Sequence, residues 1–129
     1  MDCLFCSIAA GDIPATIIDS DDASVAFLDI EPFQDGHTLV IPRKHVTSVL
    51  DDGGELGRIS PMVTRVARRL VDSLGAAGVN VVSNAGAVAG QSVQHLHVHV
   101  IPRYAREPGI NAIRSTMPRR PIEEVAAMV

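Results

Sequence analysis

Three of the chain's five histidines, His95, His97 and His99, alternate with leucine and valine near the end of the sequence. On an extended strand, side chains two residues apart lie on the same face, about 6.5–7 Å apart along it. The imidazoles would then share one face while the aliphatic side chains face a core. Such strict alternation argues against a strand that merely exposes histidine to solvent. Two chemistries stay open, ligation of a catalytic metal and nucleophilic attack assisted by neighbouring imidazoles.

The loop before these histidines favours phosphoryl chemistry. Residues 89–93 contain Gly90, Gln91 and Ser92 in succession. A glycine turn of this kind can aim backbone N–H groups at an anion, and the side chains of Ser92 and Asn84 add further donors. A neutral imidazole attacks phosphorus without first losing a proton, and donors already in place meet the charge of the transferred group.

Composition excludes several other classes of protein. With 129 residues, 47% of them hydrophobic, the chain has enough apolar material for one domain with a core. The net charge is −4 and Lys44 is the only lysine, so we expect no nucleic-acid partner. We also expect no membrane partner, because no run of about 18 apolar residues occurs and the N-terminus lacks the pattern of a signal peptide. The two cysteines are too close in sequence to join distant parts of a secreted fold, which predicts a cytoplasmic protein.

The pattern of apolar residues predicts an α+β domain. A short helix is expected over Leu4–Ala10, and the main helix between Gly54 and Leu74. Ser60 and Pro61 fit an N-cap and first helical residue, so residues 56–59 would be a separate turn or lie before a kink. Five strands are predicted over residues 16–18, 24–29, 37–41, 79–84 and 94–101. The tail from residue 105 ends in an amphipathic segment, 122–129, that could dock on a partner subunit.

At this point the sequence resembles the histidine triad (HIT) superfamily. The segment from Gly90 to Val100 matches the family's H-φ-H-φ-H-φ-φ signature. Further blocks follow the family's order, at residues 2–14, 27–32, 37–42 and 84–86. The resemblance implies a five-stranded antiparallel sheet with one main helix and a short N-terminal helix, pairing as a two-fold dimer through the long helix and an edge strand. Residues 1–104 would form the HIT domain and residues 105–129 a C-terminal tail.

The resemblance also implies an activity and a nucleophile. His97 would attack the α-phosphate of a purine nucleoside phosphoramidate or related nucleotide conjugate and form a nucleotidyl-histidine intermediate. His99 would contact the phosphate, and His37 would support the triad through a hydrogen bond. Ser92, together with the backbone amides near Gly90 and Gln91, would complete the phosphate cradle.

Other positions correspond to the family's nucleotide-binding residues. Asn84 would support the same phosphate, and the Asp29 carboxylate would accept hydrogen bonds from the ribose hydroxyls. By sequence alone, Asp29 could equally be an acidic residue that ends a strand before a turn. The slot for the base would be formed by four apolar residues, each of which could also be plain core: Phe5, Ile8, Phe27 and Ile30.

Cys3 and Cys6 form a C-x-x-C pair, for which a redox role would need a βαβ setting that the sequence lacks. Two buried, inert cysteines are one alternative. His45 and His95 have no firm role in the nucleotide site, and two thiolates with two imidazoles make a complete tetrahedral set for structural zinc. The chain resembles bacterial HIT proteins that carry such a zinc. We therefore predict one structural zinc per chain, and no organic cofactor.

Departures from the family pattern leave the leaving group open. After the triad the chain reads Ile-Pro-Arg-Tyr at 101–104, where the Hint branch has a glycine pair, and it has no tryptophan near the C-terminus. The Pro-Arg ending is closer to dinucleoside polyphosphate hydrolases, which is one alternative function. His99 at the third triad position favours hydrolysis over transfer. Two further alternatives are a zinc-dependent hydrolase that uses the triad as ligands and a nucleotide-binding partner protein with little turnover.

Overall fold

Five antiparallel strands form one sheet in the computed structural model, which describes residues 3–129. Their order across the sheet is β1-β2-β3-β5-β4. The strands are β1 (Ile17–Ser20), β2 (Ser24–Leu28), β3 (Thr38–Pro42), β4 (Gly78–Val82) and β5 (Val98–Arg103). The helices are α1 (Leu4–Ala9), α2 (Glu55–Leu74) and α3 (Ile122–Met128). The predicted α+β fold, with a five-stranded antiparallel sheet, one main helix and a short N-terminal helix, is confirmed. Asp2, the first residue of the block 2–14, lies outside the described residues.

The main hydrophobic core lies between α2 and one face of the sheet. Four buried side chains follow each other at helical spacing on α2, namely Ile59, Met62, Val66 and Leu70. They pack against a set of small and branched residues from the strands, which are Ala26, Val40, Val98 and Val100. Burying an aliphatic side chain of this size contributes about 1.5–3 kcal/mol, so this contact fixes α2 on the sheet.

α2 lies within the predicted span of Gly54 to Leu74, but the expected N-cap at Ser60 is wrong, because the helix begins at Glu55. The Asp52 carboxylate caps this earlier start and accepts a hydrogen bond from the Glu55 amide at 2.6 Å. Pro61, which has no N–H, therefore lies inside the helix and cannot donate to the carbonyl of Gly57. The Ser60 hydroxyl donates to that carbonyl instead, at 2.9 Å, which explains why the helix continues through the proline.

The predicted strand over 94–101 is also shifted, since β5 begins at Val98. His95 and His97 precede the strand, but the rings of His97 and His99 still lie side by side, and Phe5 packs against both His95 and His97. Pairing with β3 begins only where Val98 meets Val40. Pro102 lies inside β5 because, beyond Val100, the strand pairs with β4 alone. The other strand ends agree with their predictions to within two residues.

The C-terminal tail contacts its own chain. Val125 of α3 is buried, and the Arg69 guanidinium donates to the carbonyl oxygen of Val129 at 2.9 and 3.1 Å. The boundary after residue 104, and docking of the tail on a partner subunit, stay predictions. Between residues 3 and 129, no helix combines the length and apolar character needed to cross a membrane.

Candidate active site and metal centre

His97 is buried just before β5, with one ring nitrogen tied to the backbone. Its Nδ1 lies 2.7 Å from the carbonyl oxygen of His95. A carbonyl can only accept, so the proton of the neutral ring is on Nδ1 and the lone pair is on Nε2. The Phe5 ring packs edge-on against this imidazole, with centroids 5.1 Å apart. His97 therefore offers an unprotonated nitrogen in a fixed orientation, which is what a nucleophile requires.

Ser83 also holds the backbone of His97, and sequence reasoning missed it. Its hydroxyl donates to the His97 carbonyl oxygen at 2.8 Å. The signal for this contact is the antiparallel pairing of Val82 with His99, which places residue 83 beside the segment before β5. That register is visible only once the strands are paired.

His37 and His99 form a hydrogen-bonded pair across β3 and β5. The Phe33 amide donates to Nδ1 of His37 at 2.9 Å, so the neutral His37 ring carries its proton on Nε2. That proton is donated to Nδ1 of His99, 2.9 Å away. His99 in turn keeps its own proton on Nε2. Since the rings of His97 and His99 have centroids 5.0 Å apart, the ring with a lone pair on Nε2 lies beside the ring with an N–H on Nε2.

Burial keeps this pair neutral. Burial, together with the neighbouring His99 and His97, lowers the pKa of His37 to about 3. Burial likewise lowers the pKa of His99 to about 4. The Asp29 carboxylate lies 3.6 Å from Nε2 of His37, and its own pKa is raised, chiefly by burial. Asp29, His37, His97 and His99 thus form one cluster.

The loop before the histidines is braced from within. Gly90 has a φ of +99°, and the amides of Gly90 and Gln91 donate to the carbonyl oxygens of residues 87 and 86. The Gln91 side chain accepts from the Gly86 amide at 2.8 Å and donates to the Thr47 carbonyl at 2.7 Å. These two amides are therefore engaged inside the loop, and their role is to shape it. The exposed Ser92 follows directly.

Asn84 lies over Gly90 at the start of the same loop. A Cβ atom on Gly90 would come within 3.5 Å of the Asn84 amide nitrogen. That is ordinary van der Waals contact, so glycine is favoured here by its left-handed backbone alone.

The four apolar residues expected around the base fall into two groups. Phe5, Ile8 and Phe27 belong to a buried cluster beside His97, in which the rings of Phe5 and Phe27 meet edge-on with centroids 5.4 Å apart. Ile30 is 82% exposed, next to Asp29. The three buried residues pack beside the histidines, while Ile30 exposes apolar surface at the edge of the site, next to Asp29.

A second cluster contains the four predicted zinc ligands, Cys3, Cys6, His45 and His95. One ligand atom from each lies within 4.8 Å of all the others. Nδ1 of His95 is 3.4 Å from both sulfur atoms and 3.1 Å from Nδ1 of His45. Tetrahedral zinc with ordinary bond lengths separates its ligand atoms by about 3.3–3.8 Å, so the set fits that ion.

The hydrogen bonds of His95 support the same fit. Its Nε2 lies 2.8 Å from the carbonyl oxygen of Pro42, which must accept, so the neutral ring is unprotonated on Nδ1. That lone pair points at the sulfur atoms and at His45, as a metal ligand's would. The spacing of the cysteines is set by α1, because Cys3 is its N-cap and accepts from the Cys6 amide at 3.4 Å.

Comparison with known proteins agrees with this geometry. The HIT domain family matches residues 10–106. The chain belongs to the HIT family. Protein hit of Bacillus subtilis is 43% identical over 115 residues, which cover 88% of this chain and 79% of that protein.

Two further relatives resemble nearly the whole HIT chain. The adenosine 5'-monophosphoramidase of Schizosaccharomyces pombe is 37% identical over 129 residues, or 99% of this chain and 93% of that protein. The crystal structure of a Zn-bound histidine triad family protein from Mycobacterium smegmatis has a TM-score of 0.87 at 36% identity, covering 99% of this chain and 90% of that one. The predicted family is therefore confirmed.

Proposed function

We propose that this HIT protein hydrolyses purine nucleoside phosphoramidates, or related nucleotide conjugates, at the α-phosphate through a nucleotidyl-histidine intermediate. One observation carries the proposal: His97 presents an unprotonated Nε2 beside a His99 that presents a protonated one. A nucleophile and a donor for the phosphoryl oxygens are thus ready without any proton transfer between them. The phosphoramidase from Schizosaccharomyces pombe supports the choice of substrate.

The first step forms a bond between Nε2 of His97 and phosphorus and breaks the phosphorus–nitrogen bond, and the leaving nitrogen takes a proton from solvent and departs as a neutral amine. Attack leaves positive charge on the imidazole, whose Nδ1–H already donates to the His95 carbonyl oxygen at 2.7 Å. The Nε2–H of His99 donates to a phosphoryl oxygen as charge develops there. Water then attacks phosphorus and gives up a proton to solvent, which releases the nucleoside monophosphate and restores the neutral His97.

The remaining residues would bind the nucleotide. The Asp29 carboxylate accepts from the ribose hydroxyls, and the Ser92 hydroxyl and the Asn84 amide donate to the phosphate, in the loop that Gly90 and Gln91 shape. The base lies against an apolar surface to which four residues contribute, namely Phe5, Ile8, Phe27 and Ile30. The exposed Ile30 supports this assignment, because a planar base would cover it.

We also propose that Cys3, Cys6, His45 and His95 hold one structural zinc. A bound zinc would add stability by joining α1 to the segments after β3 and before β5, with no coordination position left for water. Two free thiols in this arrangement suit a reducing compartment, so we place the protein in the cytoplasm.

A homodimer through β4 completes the proposal. Within residues 3–129, β1 and β4 are the edges of the sheet, and an edge strand offers unpaired backbone groups. The register of β1 is interrupted by a bulge between Ile17 and Asp19, which disfavours pairing, whereas that of β4 is continuous. Val81 of β4 is 53% exposed and Val71 of α2 is 39% exposed, which provides apolar contact area.

Sedimentation velocity tests this dimer. Val81→Lys should give a monomer, while Ile17→Lys on the opposite edge, where Ile17 is 49% exposed, should remain dimeric. A parent protein that sediments as a monomer at micromolar concentration would contradict the proposal.

The reaction is tested by quenching it with acid-free denaturant and looking for adenylate on the peptide that contains His97. Adenosine 5'-monophosphoramidate is the substrate, and a dinucleoside polyphosphate in a parallel reaction tests the alternative leaving group. His97→Ala should lose the adduct and reduce turnover on the order of 10⁴-fold or more, whereas the exposed Gln94→Ala should keep both. Full turnover by His97→Ala would refute the mechanism. Activity lost on chelation, without an adduct in the parent, would favour the metal-dependent alternative, and binding without turnover the partner protein.

A further inference from the structure

The turn between β2 and β3 is attached to the C-terminal tail. The Ser115 amide donates to the carbonyl oxygen of Phe33 at 2.8 Å. The side-chain amide of Gln34 donates to the carbonyl oxygens of Ala112 and Ile113 at 3.3 and 3.0 Å. The tail therefore holds two successive residues of the turn from the same side.

The same turn holds His37. The amide of Phe33 donates to Nδ1 of His37, and the amide of His37 donates back to the carbonyl oxygen of Gln34 at 3.1 Å. The Phe33 ring also packs edge-on against the imidazole, with centroids 5.3 Å apart. A shift of the turn would move the donor that fixes the His37 tautomer, and with it the proton shared with His99.

We propose that Gln34 is a positioning residue for the His37–His99 pair. By fixing the turn to residues 112–113, it keeps the Phe33 amide on Nδ1 of His37, so that His99 presents its N–H to the phosphate. This inference rests on the proposed function, because His99 matters only if a phosphate binds beside it. Gln34 itself touches neither substrate nor phosphate in this assignment.

The chemistry of Gln34 favours positioning over simple filling of the core. The side chain is 1% exposed, and its Oε1 has no hydrogen-bond partner among residues 3–129. A buried acceptor without a partner destabilises a fold, so an apolar residue of similar volume would fill the space at lower cost. What glutamine adds is its two N–H groups, and both hold the tail.

Imidazole ¹⁵N spectroscopy of the full chain tests the proposal directly. In the parent, His37 and His99 should each show one pyridine-like signal from Nδ1 and one pyrrole-like signal from Nε2. Gln34→Met, which keeps the volume and loses the donors, should shift both histidines towards a mixture of tautomers. The rate of adenylation of His97 should fall about 10- to 100-fold, as expected when reacting groups lose their alignment, while KM changes less than about twofold.

A second pair of variants keeps the test decisive if Gln34→Met does not fold. Ser115→Pro removes the N–H that holds the Phe33 carbonyl and should give the same mixed tautomers. Ser115→Ala keeps that N–H and should retain the parent spectrum, as should Gln94→Met on the surface. Parent-like tautomers in a folded Gln34→Met or Ser115→Pro protein would overturn the proposal. Because the tautomers are read without nucleotide, a parent that forms no adenylate would refute the proposed function and leave this structural link measurable.

Discussion

Nδ1 of His97 lies 2.7 Å from the carbonyl oxygen of His95, so the residue proposed to bind zinc also orients the proposed nucleophile. The imidazole of His95 points towards the cysteines while its carbonyl points towards His97. One residue therefore belongs to both clusters. Loss of the metal should consequently disturb the orientation of His97 as well as lower the stability of the fold.

The zinc assignment predicts a loss of metal and of stability in Cys3→Ser. The purified parent should contain about one zinc per chain, and Cys3→Ser much less, because one of four ligands is gone. A ligand at 1,000 times its dissociation constant contributes about 4 kcal/mol, which sets the scale of the decrease in the free energy of unfolding. Elemental analysis and urea denaturation measure the two quantities. Ser7→Ala on the same helix is the matched control, and a parent purified without zinc from zinc-containing medium would disprove the site.

The ribose assignment predicts a specific loss of affinity in Asp29→Asn. Hydrogen bonds to a charged group contribute about 1.5–3 kcal/mol, so KM for the ribonucleoside substrate should rise about 10- to 100-fold. The parent should discriminate against a 2',3'-dideoxy analogue, and the variant should largely lose this discrimination. Glu31→Gln, which changes an exposed carboxylate two residues away, should behave like the parent. Unchanged discrimination in Asp29→Asn would exclude the carboxylate from ribose binding.

The buried histidine pair predicts lower stability in weak acid. Below about pH 6.5 the unfolded chain protonates His37 and His99, whereas burial holds their pKa values in the folded state at about 3 and about 4. The unfolded state then binds more protons than the folded state. The contribution of this pair to the free energy of unfolding is therefore fully present above about pH 6.5 and decreases as the pH falls towards about 4. For His37 the slope is at most about 1.4 kcal/mol per pH unit.

His37→Asn checks this prediction, because asparagine can still accept from the Phe33 amide but does not titrate. Urea denaturation from pH 7 to 4.5 should show a shallower loss of stability in the variant than in the parent. Both proteins share the predicted zinc ligands and Asp29, so their difference isolates His37. If the stability of both proteins fell in parallel with pH, His37 would not contribute to the loss of stability in acid.

Gly36, which precedes His37, should be replaced by alanine only with a loss of stability. Its φ is +94°, and a Cβ atom would lie 2.4 Å from Cδ1 of Leu74 and 3.3 Å from Cγ of Pro102. Gly36→Ala should lower the free energy of unfolding by about 2–3 kcal/mol, from backbone strain together with repacking. Gly57→Ala in α2 should instead raise it by about 0.5–1 kcal/mol, because its Cβ meets nothing within 4 Å. Equal effects of the two substitutions in urea denaturation would contradict this account.

Local patterns were sufficient for much of the fold and failed at particular places. The spacing of apolar residues located every strand and the main helix to within a few residues, because such spacing reflects which face is buried. Pro61 was misplaced as a helix start, since the Asp52 cap and the Ser60 hydroxyl together compensate for a proline inside α2. Neither compensation is visible from propensity alone.

The sequence by itself determined the family, through three alternating histidines, the loop before them and the C-x-x-C pair. Only the tertiary structure decided how these histidines differ. The ring of His95 lies against the cysteines and His45, and the hydrogen bonds from Phe33 and to the carbonyl of His95 set which nitrogens carry protons. The tie between Gln34 and the tail spans 78 and 79 residues. Local periodicity carries no information about partners so far apart, because they meet only after the sheet has formed.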